Sequence, residues 1–228
     1  MGIDLGVIKD RQRALEDYLK AIYRLEELMG IAKTTYLAKE LGVTPATVTK
    51  MMSKLARDGY IVWEPYKGAK LSNKGRILAE NIVRKHRIAE YFFYKILKLD
   101  LLKSHIYAHM LEHLPDEVFD RLYEFLNKPS TCPHGNPIPG AVPPREVIES
   151  KTIDSFNTND KVRITRILCI LEHKILEHLL SLGISVNTEI CIKEKKESEY
   201  VVVEVDKREI SISYPLIKVL RGIKVGNC

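Results

Sequence analysis

Hydrophobic and polar positions repeat along this 228-residue chain with two different periods. Over most of residues 13–126, apolar residues recur every three to four positions, which predicts amphipathic helices. After residue 154 they alternate with polar residues at every second position, as in Val201, Val203 and Val205, which predicts β-strands. The pattern therefore predicts helical modules followed by a small β-module.

The first two predicted helices cover residues 13–28 and about 35–41. Gly30 and Gly42 follow them directly, and glycine is typical of a helix end. Thr34 is the predicted cap of the second helix. The short connection through Gly42 predicts that a third helix follows after a tight turn.

The third helix is predicted to begin at Pro45, with Thr44 as its cap, because proline suits the first turn of a helix. Its predicted buried stripe consists of Val48, Met51, Met52 and Leu55. Residues 60–64 and 69–71 then predict two short strands around a turn, that is, a wing. Small and hydroxyl residues at the start of the third helix allow close approach to a major groove, so these elements predict a winged helix-turn-helix.

Charge supports DNA as the partner of this module. From Pro45 to Arg76 there are seven Lys and Arg residues against two acids, an excess of five positive charges suited to phosphate contacts. The predicted DNA-contacting residues are Thr34, Thr44, Pro45, Ala46, Thr47, Thr49, Lys50, Lys54, Lys67 and Lys70.

Three further helices are predicted over about residues 74–97, with Asn73 as cap, 100–114 and 116–126. The first of them ends in an apolar and aromatic run, residues 91–97. This run suits either the core of one subunit or a helical dimer interface. We favour a homodimer, because a winged-helix protein that reads a palindrome needs a two-fold partner.

Imidazole and carboxylate side chains are concentrated on two of these helices. At 3.6 residues per turn, the second of them presents four such groups on one face, and the first carries a further pair spaced i, i+4. The residues are His105, His109, Glu112 and His113 on one helix and His86 and Glu90 on the other. This ligand set is typical of sites for divalent Fe, Mn, Co, Ni and Zn; a solvated histidine-rich face is the alternative.

Six of the ten prolines lie between Pro129 and Pro144, which predicts an extended, semi-rigid linker over residues 127–145. Cys132 and His134 lie within it, and a metal-binding role for them is left open. The remaining residues predict strands over 161–167, 189–195, 200–206 and 209–213 and a helix over 172–182. These elements favour a five-stranded, SH3-like barrel.

Composition excludes some classes of protein. The formal net charge is +6 and the pI is near 9.0, which permits an anionic partner such as DNA. No run approaches the roughly 20 apolar residues of a membrane span, and residues 1–10 carry acids where a signal peptide has an apolar core. The four cysteines are scattered without a CxxC pair, so we expect a reduced, cytoplasmic protein.

Together these motifs resemble the metal-dependent repressors of the DtxR/IdeR/MntR family in their three-domain form. The matching segments, in family order, are DYLKAIYRLEE (17–27), VTPATVTKMMSKL (43–55), RDGYIV (57–62), LSNKGR (71–76), HRIAE (86–90), Glu112-His113, GNPIPG (135–140) and LLSLGI (179–184). The resemblance implies a mainly α fold: an N-terminal winged helix-turn-helix (residues 1–75), a helical dimerisation and metal-binding domain (76–128), a Pro-rich linker (129–153) and a C-terminal SH3-like, FeoA-like β-barrel (154–228).

The family binds two metals per subunit. Its ancillary site is matched here by His86, Glu90 and His105, and Glu172 occupies a further ligand position. Ile175 stands where the family has a ligating Gln. The contribution of the C-terminal domain to the ancillary site is therefore weaker here.

The family's primary site is matched by Asp17, His109, Glu112 and His113. Asp17 follows the manganese-type pattern, whereas His109 fits neither subtype. Lys20 replaces a second manganese-type carboxylate and cannot ligate while it is protonated. Neither subtype pattern is complete at the primary site. Within the resemblance, the FeoA-like module and the matched ancillary site favour Fe(II), with Mn(II) as the second candidate, and Co(II), Ni(II) or Zn(II) can substitute.

The implied function is a metal-dependent repressor, not an enzyme, whose partners are double-stranded operator DNA and a second copy of the chain, with no membrane and no small-molecule substrate. A metal bridging Asp17 to the dimerisation helix would fix the spacing of the recognition helices. Two alternatives stay open. One is a metal-independent winged-helix regulator with structural histidines; the other is a metalloenzyme, which the absence of an HExxH motif disfavours.

Overall fold

The computed structural model describes residues 5–168, 173–197, 199–214 and 216–228. The helices within these ranges are α1 (Leu5–Met29), α2 (Thr34–Leu41), α3 (Pro45–Arg57), α4 (Asn73–Lys95), α5 (Leu101–Leu111), α6 (Asp116–Phe125), α7 (Arg145–Ile148), α8 (His173–Ser181) and α9 (Leu216–Val219). The strands are β1 (Ile61–Glu64), β2 (Gly68–Leu71), β3 (Lys151–Thr152), β4 (Asp160–Ile167), β5 (Glu189–Lys196), β6 (Tyr200–Val205), β7 (Arg208–Ser213) and β8 (Leu220–Asn227).

The N-terminal module is the predicted winged helix-turn-helix. Gly42 ends α2 in the left-handed conformation (φ 62°), which turns the chain sharply into α3. The Thr44 hydroxyl accepts a hydrogen bond from the Thr47 amide (3.2 Å) and caps α3 as predicted. Strands β1 and β2 pair antiparallel, with Ile61 opposite Leu71, and form the wing.

Two predicted caps are wrong by one residue. Lys33, not Thr34, precedes α2, and its side chain makes no capping bond. Ser72, not Asn73, caps α4 and accepts from the Gly75 amide (3.1 Å). The reason is that Ser72 also donates to the Gly59 carbonyl, so tertiary contact with the turn before the wing selects it over its neighbour.

Two hydrophobic cores support the fold. The larger one joins α1, α2 and α3 to the C-terminal sheet and includes Leu19, Ile22 and Leu25 of α1. The smaller one lies between α4, α5 and α6 around Ile88 and Phe119. Helix α1 therefore belongs to the core that the DNA-binding module shares with the C-terminal sheet.

The C-terminal module is a six-stranded antiparallel sheet of order β3-β8-β4-β5-β6-β7, whereas the sequence predicted a five-stranded barrel and located four of its strands, neither β3 nor β8 among them. The last strand, β8, was missed because its sequence LRGIKVGN contains two glycines and loses alternation at its end. It pairs with both β3 and β4. The predicted SH3-like, FeoA-like character of this module is confirmed.

The proline-rich segment is not extended at its centre, contrary to prediction. Thr131 bridges to Pro137, and the Gly135 amide donates to the Cys132 carbonyl (2.9 Å), so the chain folds back on itself. The Asn136 side-chain amide donates to the Ile167 carbonyl of β4 (2.8 Å). These contacts to the sheet bury the turn, which an isolated proline-rich sequence would not form.

An ion-pair network centred on Glu27, called here the Glu27 network, connects the helical and β-modules. The Glu27 carboxylate on α1 accepts from Arg87 of α4 and from Arg166 of β4, both at 2.9 Å. Arg221 of β8 donates to the Glu27 carbonyl (3.3 Å), and Arg87 also donates to the Pro137 carbonyl (2.5 Å). One acidic residue thus joins α1, α4 and the sheet.

Two further observations bear on the environment of the protein. Cys191 and Cys228 form a disulfide, against the expectation that the cysteines are reduced, because pairing of β5 and β8 with β4 places them together. Among the described helices, none has both the length and the apolar character needed to cross a membrane.

Candidate metal centre

Helices α4 and α5 bring the predicted metal ligands face to face. His86 and Glu90 lie one turn apart on the buried face of α4, and His105 lies on the buried face of α5. The small residues Ala89 and Ala108 are both fully buried in the core shared by the two helices, which permits close approach. The side chains between the helices are therefore held by packing on both sides.

The three residues matched to the ancillary site converge. Oε1 of Glu90 lies 3.0 Å from Nε2 of His86 and 2.6 Å from Nδ1 of His105, and the two ring nitrogens are 3.2 Å apart. All three residues are buried. One ion could therefore contact a nitrogen or oxygen of each.

The turn in the proline-rich segment places two further ligand-type side chains beside Glu90. Nδ1 of His134 lies 3.3 Å from Oε1 of Glu90, and Sγ of Cys132 lies 3.8 Å from that ring nitrogen. Donor atoms of Glu90, Cys132 and His134 all lie within 4.8 Å of one another. We call His86, Glu90, His105, Cys132 and His134 the Glu90 cluster.

The electrostatics of the Glu90 cluster favour ligating forms for most of its members. Burial alone would raise the pKa of Glu90, but His134 and His86 outweigh it and hold that pKa well below its usual range. Burial also lowers the pKa of His105 well below 6.5, so its imidazole is neutral at pH 7. Burial raises the pKa of Cys132, so its thiol must lose a proton to ligate as a thiolate.

The tautomer of His86 follows from its neighbours. Nδ1 lies 2.6 Å from Oε2 of Glu112, a carboxylate that can only accept, so Nδ1 carries the proton. Arg24 donates from Nη2 to Nε2 (3.1 Å), so Nε2 keeps its lone pair. In this arrangement the lone pair of Nε2 is engaged by Arg24, so a metal ion held by His86 would replace that hydrogen bond.

The four residues matched to the primary site also lie together. Oε1 of Glu112 is 3.6 Å from Nδ1 of His109 and 3.7 Å from Nε2 of His113, and the latter is 3.5 Å from Oδ1 of Asp17. Helix α5 ends at Leu111 with Glu112 as its C-cap, so His113 lies beyond the helix, which was predicted to continue to residue 114. We call Asp17, His109, Glu112 and His113 the Asp17 cluster.

Helix α1 adds two residues to the Asp17 cluster that the sequence did not assign to it. Glu16 accepts from Nδ1 of His113 (2.7 Å), and the side-chain bonds to Asp17 and Glu16 raise the pKa of His113 to about 9. The Lys20 ammonium contacts Glu112, donates to Nδ1 of His109 (2.9 Å) and lies 3.7 Å from Asp17.

Charge in the Asp17 cluster is balanced by this lysine. Burial would raise the pKa of Glu112, but Lys20 and His86 outweigh it and hold the pKa well below its usual range. Burial lowers the pKa of His109 to about 3, so that ring is neutral. These donors already surround the Lys20 ammonium, and in the Glu90 cluster a cationic group, the Arg24 guanidinium, contacts His86.

The remaining predicted ligands are only partly placed. Glu172 lies outside the described residues. Ile175, at the position of the missing Gln, is half-buried on α8 and packs against the larger core. The described part of α8 therefore offers no oxygen donor at that position.

All but one of the predicted DNA-contacting residues are exposed. Thr44, Ala46, Thr47, Lys50 and Lys54 are exposed on α3 or at its cap. Also exposed are Pro45, Thr49 and the wing residues Lys67 and Lys70, whereas Thr34 is only partly exposed. The buried stripe of α3 faces the core through Val48, Met52 and Leu55, so this polar face is free to meet a partner.

Comparison with known proteins matches three family models in succession along the chain. Family models described as the iron dependent repressor N-terminal DNA binding domain, the iron dependent repressor metal binding and dimerisation domain, and the FeoA domain match residues 12–69, 72–140 and 151–220. The diphtheria toxin repressor of Corynebacterium diphtheriae is 34% identical over 202 residues, covering 82% of this chain and 88% of that protein.

Solved structures agree over nearly the whole length. The crystal structure of T. acidophilum IdeR has a TM-score of 0.78 and 27% identity, covering 92% of this chain and 97% of that one. A manganese-dependent transcriptional repressor in complex with manganese has a TM-score of 0.77 and 26% identity, covering 92% and 100%. The chain therefore belongs to the iron-dependent repressor family, whose members are DNA-binding transcriptional repressors and not enzymes.

Proposed function

We propose that this protein is a metal-dependent transcriptional repressor that takes Fe(II) as its corepressor and binds operator DNA as a homodimer. Mn(II) is the second candidate, and Co(II), Ni(II) or Zn(II) can substitute. The observation that carries the proposal is the Glu90 cluster, in which donors from α4, α5 and the proline-rich turn meet around one buried carboxylate.

The residues proposed to hold the metal are the five members of the Glu90 cluster. When bound, a divalent ion supplies a concentrated positive charge shared by carboxylate, imidazole and thiolate donors. Glu90 would supply a carboxylate oxygen to the ion, and His86 is oriented by its bond to Glu112. Because Cys132 and His134 come from a different segment than the helices, occupancy of the cluster ties the turn to α4 and α5.

The donor set favours iron over manganese. Mn(II) prefers oxygen ligands, whereas imidazole and thiolate suit Fe(II). The Glu90 cluster offers three imidazoles and one sulfur but a single carboxylate. The manganese-dependent relative is the reason to keep Mn(II) as the alternative.

The operator is proposed to meet the exposed face of α3 and the wing. Hydroxyl and lysine side chains there suit phosphates and base edges. A second copy is needed to reach two successive major grooves. The exposed apolar residues Tyr107, Met110, Leu114 and Phe125 of α5, α6 and their connection form a surface suited to that copy.

Metal-gated DNA binding tests the proposal directly. Chelator-stripped protein would be titrated anaerobically with Fe(II) or Mn(II), and retention of a randomised duplex pool would be followed by sequencing and fluorescence anisotropy. We expect retention only with metal, tighter for Fe(II) than for Mn(II). Equal retention with and without chelator would refute the metal dependence.

Two variants test whether metal-gated DNA retention depends on the Glu90 cluster. Glu90→Gln should abolish metal-gated retention, because it removes the charge at the centre of the Glu90 cluster. Glu209→Gln, an exposed change of the same chemistry on β7, is the matched control and should behave as wild type. If both variants respond to metal equally, the Glu90 cluster is not the sensing site.

A further inference from the structure

A buried ammonium group lies within the Asp17 cluster. Lys20 is on α1 and only 4% exposed, and its Nζ reaches Glu112, His109 and Asp17. These are three of the four residues that would have to supply donor atoms to a metal ion at this position. Glu112 and His109 already direct electron pairs at the Lys20 ammonium, and Asp17 lies at ion-pair distance (3.7 Å) from it.

The carboxylate of Glu112 requires a cation where it lies. Glu112 is fully buried, and a buried carboxylate without a compensating charge is strongly disfavoured. Lys20 supplies that charge from the same chain, at hydrogen-bond distance from the His109 ring as well. A lysine has three donors and no acceptor, so it satisfies these groups as a cation and cannot act as a ligand.

We propose that Lys20 takes the place of a metal ion in the Asp17 cluster, so that α1 is joined to the end of α5 by an internal cation in both the metal-free and the metal-loaded protein. This inference rests on the proposed metal response. It assigns metal sensing in this chain to the Glu90 cluster alone.

The arrangement leaves a defined connection between the two clusters. His86 faces Glu90 through Nε2 and Glu112 through Nδ1–H, and the other oxygen of Glu112 contacts Lys20. The order of groups is therefore Glu90, His86, Glu112, Lys20. Each consecutive pair is in direct contact, and the last member lies on α1 of the DNA-binding module.

Counting bound metal tests the inference. Co(II) would be used as probe, with bound equivalents per subunit measured by equilibrium dialysis and elemental analysis. We expect Asp17→Asn to bind the same number of equivalents as wild type. Lys20→Gln should bind one more, and the Lys20→Gln, Asp17→Asn double variant should return to the wild-type number.

The same experiment separates this inference from the proposed function. Loss of one equivalent in Asp17→Asn, while Glu90→Gln also loses metal, would overturn the role of Lys20 and leave the repressor proposal intact. Absence of any equivalent that depends on Glu90 would overturn the proposed function instead. Asp17 is partly exposed, so its isosteric change is compatible with folding even if Lys20→Gln is not.

Amine labelling gives a second readout that needs no variant. A water-soluble acylating reagent would be applied to wild type with and without saturating Co(II), and labelled lysines identified by mass spectrometry. Lys20 should stay unlabelled in both states, while exposed Lys54 labels in both. Labelling of Lys20 that appears only with Co(II) would show that metal expels it and would overturn the proposal.

Discussion

The Glu27 network offers the sharpest test of how the modules are held together. Replacing Glu27 with Gln removes the charge that pairs with Arg87 and Arg166, each at 2.9 Å. A hydrogen bond to a charged group contributes about 1.5–3 kcal/mol, so two of them set an upper range of about 3–6 kcal/mol. Because Glu27 is 24% exposed and Gln keeps one acceptor, we expect a loss of about 2–4 kcal/mol.

The measurement is urea unfolding of Glu27→Gln beside Glu124→Gln. Glu124 pairs with Lys128 in a solvent-exposed i, i+4 arrangement, so its loss should cost about 0.5 kcal/mol or less. A loss below about 1 kcal/mol in Glu27→Gln would refute the view that this residue joins the modules. Equal losses in both variants would refute it as well.

The ion pairs of Glu27 with Arg87 and Arg166 should also make the stability of the protein depend on acid pH. Burial would raise the pKa of Glu27, but Arg87 and Arg166 outweigh it and lower that pKa. A carboxyl whose folded pKa is depressed contributes stability above its unfolded pKa and loses it as the pH falls through the folded value. The difference in stability between wild type and Glu27→Gln should therefore shrink only under acidic conditions.

Three further outcomes are expected. Glu112→Gln should weaken Fe(II) binding at the Glu90 cluster roughly tenfold or more in calorimetric titration, because Glu112 holds the His86 ring; unchanged affinity would contradict that role. The pKa of His113 is raised from 6.5 to about 9, so its stabilising contribution is complete below about pH 6.5 and is lost as the pH rises through 9; urea unfolding of His113→Gln should lack this decline. Lys50→Ala should weaken binding to all duplexes alike and lower the salt slope by about 1, whereas a change in sequence preference would indicate a base contact instead.

Local sequence rules predicted much of the fold. Helical periodicity and the Thr44–Pro45 start predicted α3, and alternation predicted β5 and β6, because these elements agree with their own local preferences. The Ser72 cap and strand β8 were not predicted, since contacts with distant segments decide both.

In the candidate site too, local spacing predicted some features, while contacts between distant segments decided the others. Helical spacing predicted that His86 and Glu90 share a face, and this holds. The approach of Cys132 and His134 depends on Gly135, where a Cβ atom would collide with the Thr165 carbonyl, a contact between segments that sequence spacing does not show. Lys20 was excluded as a ligand from its chemistry alone, but its position among the donors required the packing of α1 against α4 and α5.

Through the Glu90 cluster, the supply of metal also affects how readily the protein unfolds and is degraded. Its members come from positions 86 to 134 and meet only in the folded state, so under the proposed function metal binds the native protein in preference to the unfolded one. At a free metal concentration 100 times the dissociation constant, this preference adds about 2.7 kcal/mol to the free energy of unfolding. In a cell starved of the metal, the ratio of unfolded to folded repressor would therefore be roughly a hundred times higher. Proteases that act on the unfolded chain would then lower the abundance of the repressor while its operators are being released.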